Sequence, residues 1–228
     1  MIVLAIPDTH APFEHRDCLP FLAYLKKTYS PKAVVHLGDE VDFHALSQYD
    51  HDPDGMSPGD ELKKALAKMK DFYDLFPNVK VCTSNHTDRP FKKAYKHGIP
   101  SAFIKSYKEF LKAPAGWDWA DHWEIDGVRY EHGESYTGAA ASLKMATGNM
   151  QSTVHGHLHS HAGIHYSRNV NKLYYGFNVG CLIDTDAYAF RYGKNMKDKP
   201  VLGAGIIHNS IPHFIPMLLD KKGRWIKS

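Results

Sequence analysis

Five short clusters of side chains that bind metals or move protons are spread along the chain. They are Asp8-Thr9-His10, Gly38-Asp39-Glu40-Val41-Asp42, Ser84-Asn85-His86-Thr87-Asp88, His132-Gly133 and Gly156-His157-Leu158-His159. Asp8 and His10 stand two apart on an extended segment, as do His157 and His159, so each pair can turn toward one point. Asp39 follows a glycine, which permits a tight turn. Together, Asp8, His10, Asp39, Asn85, His132, His157 and His159 offer carboxylate, amide and imidazole donors and no thiolate. That set suits Mn²⁺, Fe, Zn²⁺, Co²⁺ or Ni²⁺ rather than an iron–sulfur centre. Seven donors are too many for one tetrahedral ion and suit two ions, with Asp39 as the bridge. Two ions about 3.5–4 Å apart can hold a hydroxide between them and clamp the oxygens of an in-line phosphoryl displacement. Metal-bound water loses its proton near neutral pH, so no protein nucleophile is required. Each cluster alone reads as readily as a turn, a helix cap or a surface histidine; their co-occurrence carries the signal.

The elements that must position these clusters follow from the apolar pattern. Residues 1–6 form a short apolar run ended by Pro7, which predicts a buried parallel strand. Leu19, Leu22, Ala23 and Leu25 give a helical pattern as far as Ser30-Pro31. Residues 33–37 read as a second buried strand, stopped by Gly38. Ser57-Pro58-Gly59-Asp60 resembles a helix N-terminus with Pro in the first turn. Leu62, Leu66, Met69, Phe72 and Phe76 mark the face of the helix behind it. Residues 79–83 predict a third strand. The order strand, helix, strand, helix, strand is that of a parallel sheet, whose ligand sites lie beyond the carboxyl ends of the strands. Each of the three strands ends in one of the clusters.

The second half reads differently. Residues 90–112 predict a lysine-rich helical stretch broken at Gly98-Ile99-Pro100. Asp126-Gly127 between 122–125 and 128–131 predicts a hairpin. A small-residue helix is expected over 137–147, a strand over 153–155, and short strands near 161–166, 173–179, 201–208 and 213–219. The expectation is a single α/β domain over residues 1–228 with a second, more antiparallel sheet.

Composition excludes several classes. The chain has 228 residues, 43% hydrophobic and 23% charged, which is globular rather than disordered or fibrous. The net charge of +3 does not by itself imply nucleic acid. No apolar run approaches the ~20 residues of a membrane span. The N-terminus lacks a basic segment and meets Pro7-Asp8 too early for a signal peptide. Cys18, Cys82 and Cys181 form no CxxC pair, which fits a reducing, cytoplasmic setting.

In order and rough spacing, the five clusters resemble the signature blocks of the calcineurin-like metallophosphoesterases. Gly180-Cys181-Leu182-Ile183-Asp184 and the closing strands resemble small stand-alone members of bacterial and phage genomes. The resemblance implies a four-layer α/β/β/α sandwich with a dinuclear site on one rim. It implies Asp8, His10, Asp39 and His159 around a first divalent metal, and Asp39, Asn85, His132 and His157 around a second, Mn²⁺ being the expected ion. It makes His86 the acid that protonates the leaving oxygen or steadies the phosphate, with a carboxylate, Asp42 or Asp88, orienting the site. Asn85, His86 and Arg89 are the expected phosphate contacts, Arg89 through its bidentate fork. Two departures stand out: Ser84 replaces the usual Gly, and the carboxylate after His86 is displaced by one position to Asp88.

The implied activity is hydrolysis of a phosphate ester, and the Arg89, Lys92, Lys93, Lys96 run favours a nucleotide or nucleic-acid diester. The alternatives are a phosphomonoesterase acting on small molecules or phosphoprotein, and a non-catalytic metal-binding scaffold. The lysines could line the cleft or form a solvated helix face. Trp117, Trp119, Trp123 and Tyr130 could stack bases or pack as core. His44, His51, His155 and His161 are expected beside the site or on the surface. Residues 184–191 are expected to form a loop over the site, with Tyr188 or Arg191 touching substrate. Oligomeric state is left open.

Overall fold

The computed structural model describes residues 1–48, 52, 54–187, 189–190, 195 and 197–227. His51, Tyr188 and Arg191 lie outside the described residues.

The first sheet is built on β1 (Ile2–Ile6), whose residues pack on both faces. Leu4 and Ile6 point to the helices, while Val3 and Ala5 point to the second sheet. A strand covered on both sides must be apolar throughout, and this one is. β1 pairs in parallel with β2 (Ala33–His36), which pairs in parallel with β3 (Asn78–Cys82). Between them run α1 (Cys18–Tyr29) and α2 (Pro58–Leu75). Ser57 caps α2 by accepting from the Asp60 amide, with Pro58 in the first turn. The fully buried face of α2 is Glu61, Ala65, Met69 and Phe72. That is about one residue's rotation from the expected face, because the Glu61 carboxylate turns inward to accept from the amides of His44 and Ala45 at 2.6 and 2.8 Å.

The expected helical stretch over 90–112 is three short pieces: α3 (Arg89–Lys96), a 3₁₀ turn over Ser101–Phe103 and α4 (Tyr107–Phe110). They lead to a strand that the sequence reading did not assign, β4 (Gly116–Ala120), paired in parallel with β3. Trp117 is 1% exposed and donates to the Phe76 carbonyl at 2.7 Å. Trp123 donates to the Val81 carbonyl at 2.9 Å, and Tyr130 is buried. Trp117 and Tyr130 are core, and Trp119 and Trp123 are half-buried against it.

The second sheet contains β5 (His122–Ile125), β6 (Val128–Glu131), β7 (Ser152–His155), β8 (Gly163–Arg168) and β9 (Leu173–Asn178), in the order β5-β6-β7-β9-β8. Asp126 and Gly127 both take positive φ, 51° and 74°, as a two-residue hairpin requires. As expected, the sheet is more antiparallel than the first, with two of its four strand pairs antiparallel against two of five. Its central pairs, β6–β7 and β7–β9, are parallel, and only the edges are antiparallel. The reason is α5 (Ala141–Asn149), which crosses over between β6 and β7 and packs on the outer face. It approaches so closely that a Cβ at Gly176 would meet the Ser142 carbonyl oxygen at 1.8 Å. β10 (Gly203–His208) and β11 (Ile211–Pro216) return to the first sheet, completing the order β11-β10-β1-β2-β3-β4.

The layers are therefore α1 and α2, the first sheet, the second sheet and α5: the α/β/β/α arrangement. One core lies between α1, α2 and the first sheet, and the other between the sheets, where Val3, Ala5, Val35 and Leu37 meet Val128, Tyr130, Val154 and Phe177. The parallel strands of both sheets deliver their carboxyl ends to a common rim. No helix among the described residues is long and apolar enough to cross a membrane.

Candidate metal centre

All seven expected donors meet at this rim. Asp8 follows β1, Asp39 follows β2, Asn85 follows β3, His132 follows β6, and His157 and His159 follow β7. Three of the seven, His10, Asp39 and His157, hold the left-handed backbone region at φ 51°, 50° and 66°. That conformation is costly for non-glycine residues and concentrates at functional sites. Local hydrogen bonds hold it here. The Thr9 and His10 amides donate to the Asp39 carbonyl at 3.1 and 2.8 Å. The His157 amide donates to Asp8 Oδ2 at 2.9 Å, and the Asp39 amide to Ser84 Oγ at 2.7 Å. Ser84, the departure from glycine, thus adds an acceptor that glycine lacks.

The donors form three overlapping groups, Asp8–His10–His159, Asp39–His132–His157 and, linking them, His10–Asp39–His86, each with its donor atoms within 4.8 Å of one another. In the first, His159 Nε2 lies 3.0 Å from Asp8 Oδ2 and 3.2 Å from His10 Nε2. In the second, His132 Nε2 lies 3.3 Å from Asp39 Oδ2, 3.1 Å from His157 Nδ1 and 2.9 Å from Asn85 Oδ1. Asp39 Oδ2 is also 3.5 Å from His10 Nε2, so this one oxygen stands between the groups.

The chemistry of this set fits divalent cations. Two pairs of ring nitrogens face each other within 3.2 Å, and Asp8 Oδ1 is buried without a hydrogen-bond partner. The outer nitrogens have partners: His10 Nδ1 donates to Asp42 at 2.6 Å and His132 Nδ1 to the Leu37 carbonyl at 2.9 Å. An imidazole whose outer N–H is so engaged presents its lone pair inward, as metal-bound histidines do. Burial pushes the Asp39 carboxyl up, but His132, His86 and His10 outweigh it and hold it well below the usual range. Burial also opposes ionisation of Asp8, and the His159 hydrogen bond with the neighbouring His132 overcomes it. Burial and the adjacent His132 lower His157 to about 4, leaving it neutral. Burial lowers His132 too, yet Asp39 raises it to about 10. Ionised carboxylates and neutral imidazole are the forms that bind metal, and the His132 proton is held chiefly by the carboxylate beside it.

His86 stands at the edge of the centre. Its Nδ1 lies 2.9 Å from Asp42 Oδ1, and its Nε2 lies 4.0 Å from Asp39 Oδ2. Arg89 donates to His86 Nε2 at 3.1 Å and to the Asp42 carbonyl at 2.8 Å. A guanidinium has no lone pair, so Nε2 is the acceptor in this contact. Of the two expected orienting carboxylates, Asp42 reaches His86 and Asp88 does not. Asp88 sits at the start of α3, where its carboxylate accepts from the Tyr107 hydroxyl.

Several neighbours carried no sequence signal as site residues. Glu40 is fully buried, accepts from Trp119 Nε1 and Thr87 Oγ1, and is raised to about 7 by burial. Asn178, the last residue of β9, donates to the Leu158 carbonyl at 2.8 Å and steadies the His157–His159 segment. The Phe190 ring packs edge-on against His10. Of the other histidines, His155 bonds Ser142 Oγ at 2.9 Å and ties the rim to α5, His44 lies near Asp42, and the His161 ring meets the Ser160 hydroxyl at 2.9 Å.

No family model matches the chain. A curated relative, the Gene 54 protein of Mycobacterium phage D29, is 27% identical over 183 residues, covering 69% of this chain and 68% of its own. Solved structures that align with it include Yfce, a phosphoesterase from E. coli (13% identity, 100% and 97% of the two chains, TM-score 0.47). A metallophosphoesterase from Sphaerobacter thermophilus aligns at 15% identity over 94% and 88%, with a TM-score of 0.45. The Pseudomonas putida nuclease MPE aligns at 13% identity over 81% and 74%, with a TM-score of 0.40.

Proposed function

We propose that the chain is a calcineurin-like metallophosphoesterase that hydrolyses phosphodiesters of nucleotide or nucleic-acid type with two divalent cations, Mn²⁺ first among them. The observation that carries this reading is the run of overlapping donor groups, in which Asp39 Oδ2 lies 3.5 Å from His10 Nε2 on one side and 3.3 Å from His132 Nε2 on the other. Asp8, His10, Asp39 and His159 hold one cation, and Asp39, Asn85, His132 and His157 hold the other. When bound, the cations neutralise phosphate oxygens and supply the attacking water in reactive form. The chain's own residues then orient and protonate. Asn85 and Arg89 receive the phosphate oxygens. As Arg89 turns to the phosphate, His86 Nε2 is released, takes up a proton from solvent and passes it to the leaving oxygen, while Asp42 fixes the ring through Nδ1 and favours its charged form. With ligands drawn from both sheets, the domain works as one unit. Its three cysteines are free and buried, in keeping with a reducing compartment such as the cytoplasm.

A diester is favoured over a monoester because the basic pocket beside Asn85 can hold groups beyond the scissile phosphate. The test is hydrolysis of bis-p-nitrophenyl phosphate against p-nitrophenyl phosphate after metal stripping and Mn²⁺ addition. Mn²⁺-dependent cleavage of the diester is expected. Cleavage of the monoester alone would make the protein a phosphatase, and cleavage of neither with two ions bound would favour a scaffold.

A further inference from the structure

Beside the metal centre opens a pocket of about 210 Å³, lined by Asn85, Arg89, Lys92, Lys93 and Lys96 and by the residues that follow the 3₁₀ turn at His44–Leu46. It is continuous with the site, since Asn85 contacts His132 and Arg89 contacts His86. Its volume is below the 300–1,000 Å³ that encloses a whole small ligand, so it suits part of a longer molecule. α3 carries four cations and no carboxylate. No described carboxylate pairs with Lys92, Lys93 or Lys96, in a chain whose net charge is only +3. Helix stability accounts for only part of this: Lys93 and Lys96 in the last turn complement the helix dipole, whereas Arg89 at the first helical position opposes it. The segment also exposes two aromatic rings. Tyr95 on α3 is 86% exposed, and Phe103, in the 3₁₀ turn packed against α3, is 79% exposed. Large apolar rings left in water beside a row of unpaired cations are the two ingredients of a single-strand binding surface: backbone charge and base stacking.

We propose that α3 and the turn after it carry a single-stranded nucleic acid away from the metal centre. Arg89, Lys92, Lys93 and Lys96 follow successive phosphates, and Tyr95 and Phe103 provide faces on which bases stack. Eight residues of helix span about 12 Å, room for about two or three phosphates. This rests on the phosphodiesterase reading and narrows it to an oligonucleotide. The track sets KM, not the chemistry.

The test uses the full chain with Mn²⁺, a fluorescein-labelled dT12 probe and bis-p-nitrophenyl phosphate. dT12 binding to the wild type should weaken with NaCl with a log–log slope of about 2, near 0.7 per phosphate contacted. The Lys92→Ala/Lys93→Ala/Lys96→Ala variant should flatten that slope and raise KM for dT12 at least tenfold, while kcat for dT12 stays within about twofold of wild type. Tyr95→Ala/Phe103→Ala should weaken dT12 roughly tenfold and keep the slope, since stacking is uncharged. Salt-insensitive binding, an unchanged KM in both variants, or equal affinity for a 12-bp duplex would overturn the proposal. Loss of bis-p-nitrophenyl phosphate hydrolysis in the wild type would instead overturn the phosphodiesterase reading, with the binding arm still read.

Discussion

Asp42 Oδ1 lies 2.9 Å from His86 Nδ1, and the same oxygen lies 2.6 Å from His10 Nδ1. One carboxylate therefore orients a candidate metal ligand and the candidate proton donor together. Burial disfavours its charge, but the hydrogen bonds from His10 and His86 hold it ionised, well below the usual carboxylate range. Asp42→Ala should lower metal affinity and kcat by about 10–100-fold, the usual effect of losing a carboxylate that orients a ligand. Asp88→Ala removes only the partner of Tyr107 and should leave kcat near wild type. Steady-state kinetics with Mn²⁺ titration on both variants checks the contrast, and equal losses would contradict it.

Gly156 is the point where backbone and ligand approach most closely. A Cβ there would lie 2.1 Å from Asp8 Oδ1, and Asp8 is fully buried with nowhere to retreat. Gly156→Ala should displace Asp8 and cost about 1–3 kcal/mol, as overpacking does. The expected result is a lower urea midpoint together with weaker Mn²⁺ binding; an unchanged variant would place Asp8 elsewhere.

Metal removal should destabilise the fold. The centre gathers Asp8, Asp39 and Asp42 in a buried space, where opposing charge is worth most. A cation present at a hundred times its dissociation constant adds about 2.7 kcal/mol per site. Thermal unfolding should therefore shift upward with added Mn²⁺ and fall back with chelator in the wild type. Asp39→Asn should blunt the shift.

Far from the centre, Arg224 donates to both carboxylate oxygens of Asp17, at 2.7 and 2.8 Å. The Arg224 hydrogen bonds lower the Asp17 pKa from 3.8 to about 2, against the effect of burial. A folded value below the unfolded one stabilises above the unfolded pKa, and the gain is lost as pH falls through the folded value. Arg224→Gln should thus be less stable than wild type at pH 6, with the gap closing between about pH 4 and pH 2. Denaturant melts across that range test the sign; a gap that widens on acidification would contradict it.

The candidate metal donors were legible because each stands just past a short strand, and parallel strand ends gather on a rim. Their cross-chain partners were not. The sequence left Asp42 and Asp88 as equal candidates to orient His86; α3 begins at Arg89 and turns Asp88 to Tyr107, while Asp42 arrives from the loop after β2, beside a left-handed Phe43 at φ 50°. Glu40 and Ser84 act through contacts that spacing does not encode. β4 was missed because its two tryptophans read as an aromatic group, and their depth in the sandwich is a tertiary fact. The same holds for the parallel centre of the second sheet, which follows from the α5 crossover. Tyr95 and Phe103 are the most exposed rings among the described residues, and nothing in their local sequence separates them from the buried ones.

The most direct measurement is anomalous diffraction from crystals soaked in Mn²⁺, for the wild type and for Asp39→Asn. The wild type should give two peaks about 3.5–4 Å apart on either side of the Asp39 carboxylate, and Asp39→Asn should lose at least one peak together with Mn²⁺-dependent diester hydrolysis. A single peak remote from Asp39, or an Asp39→Asn protein that keeps both ions and full turnover, would contradict a shared dinuclear centre.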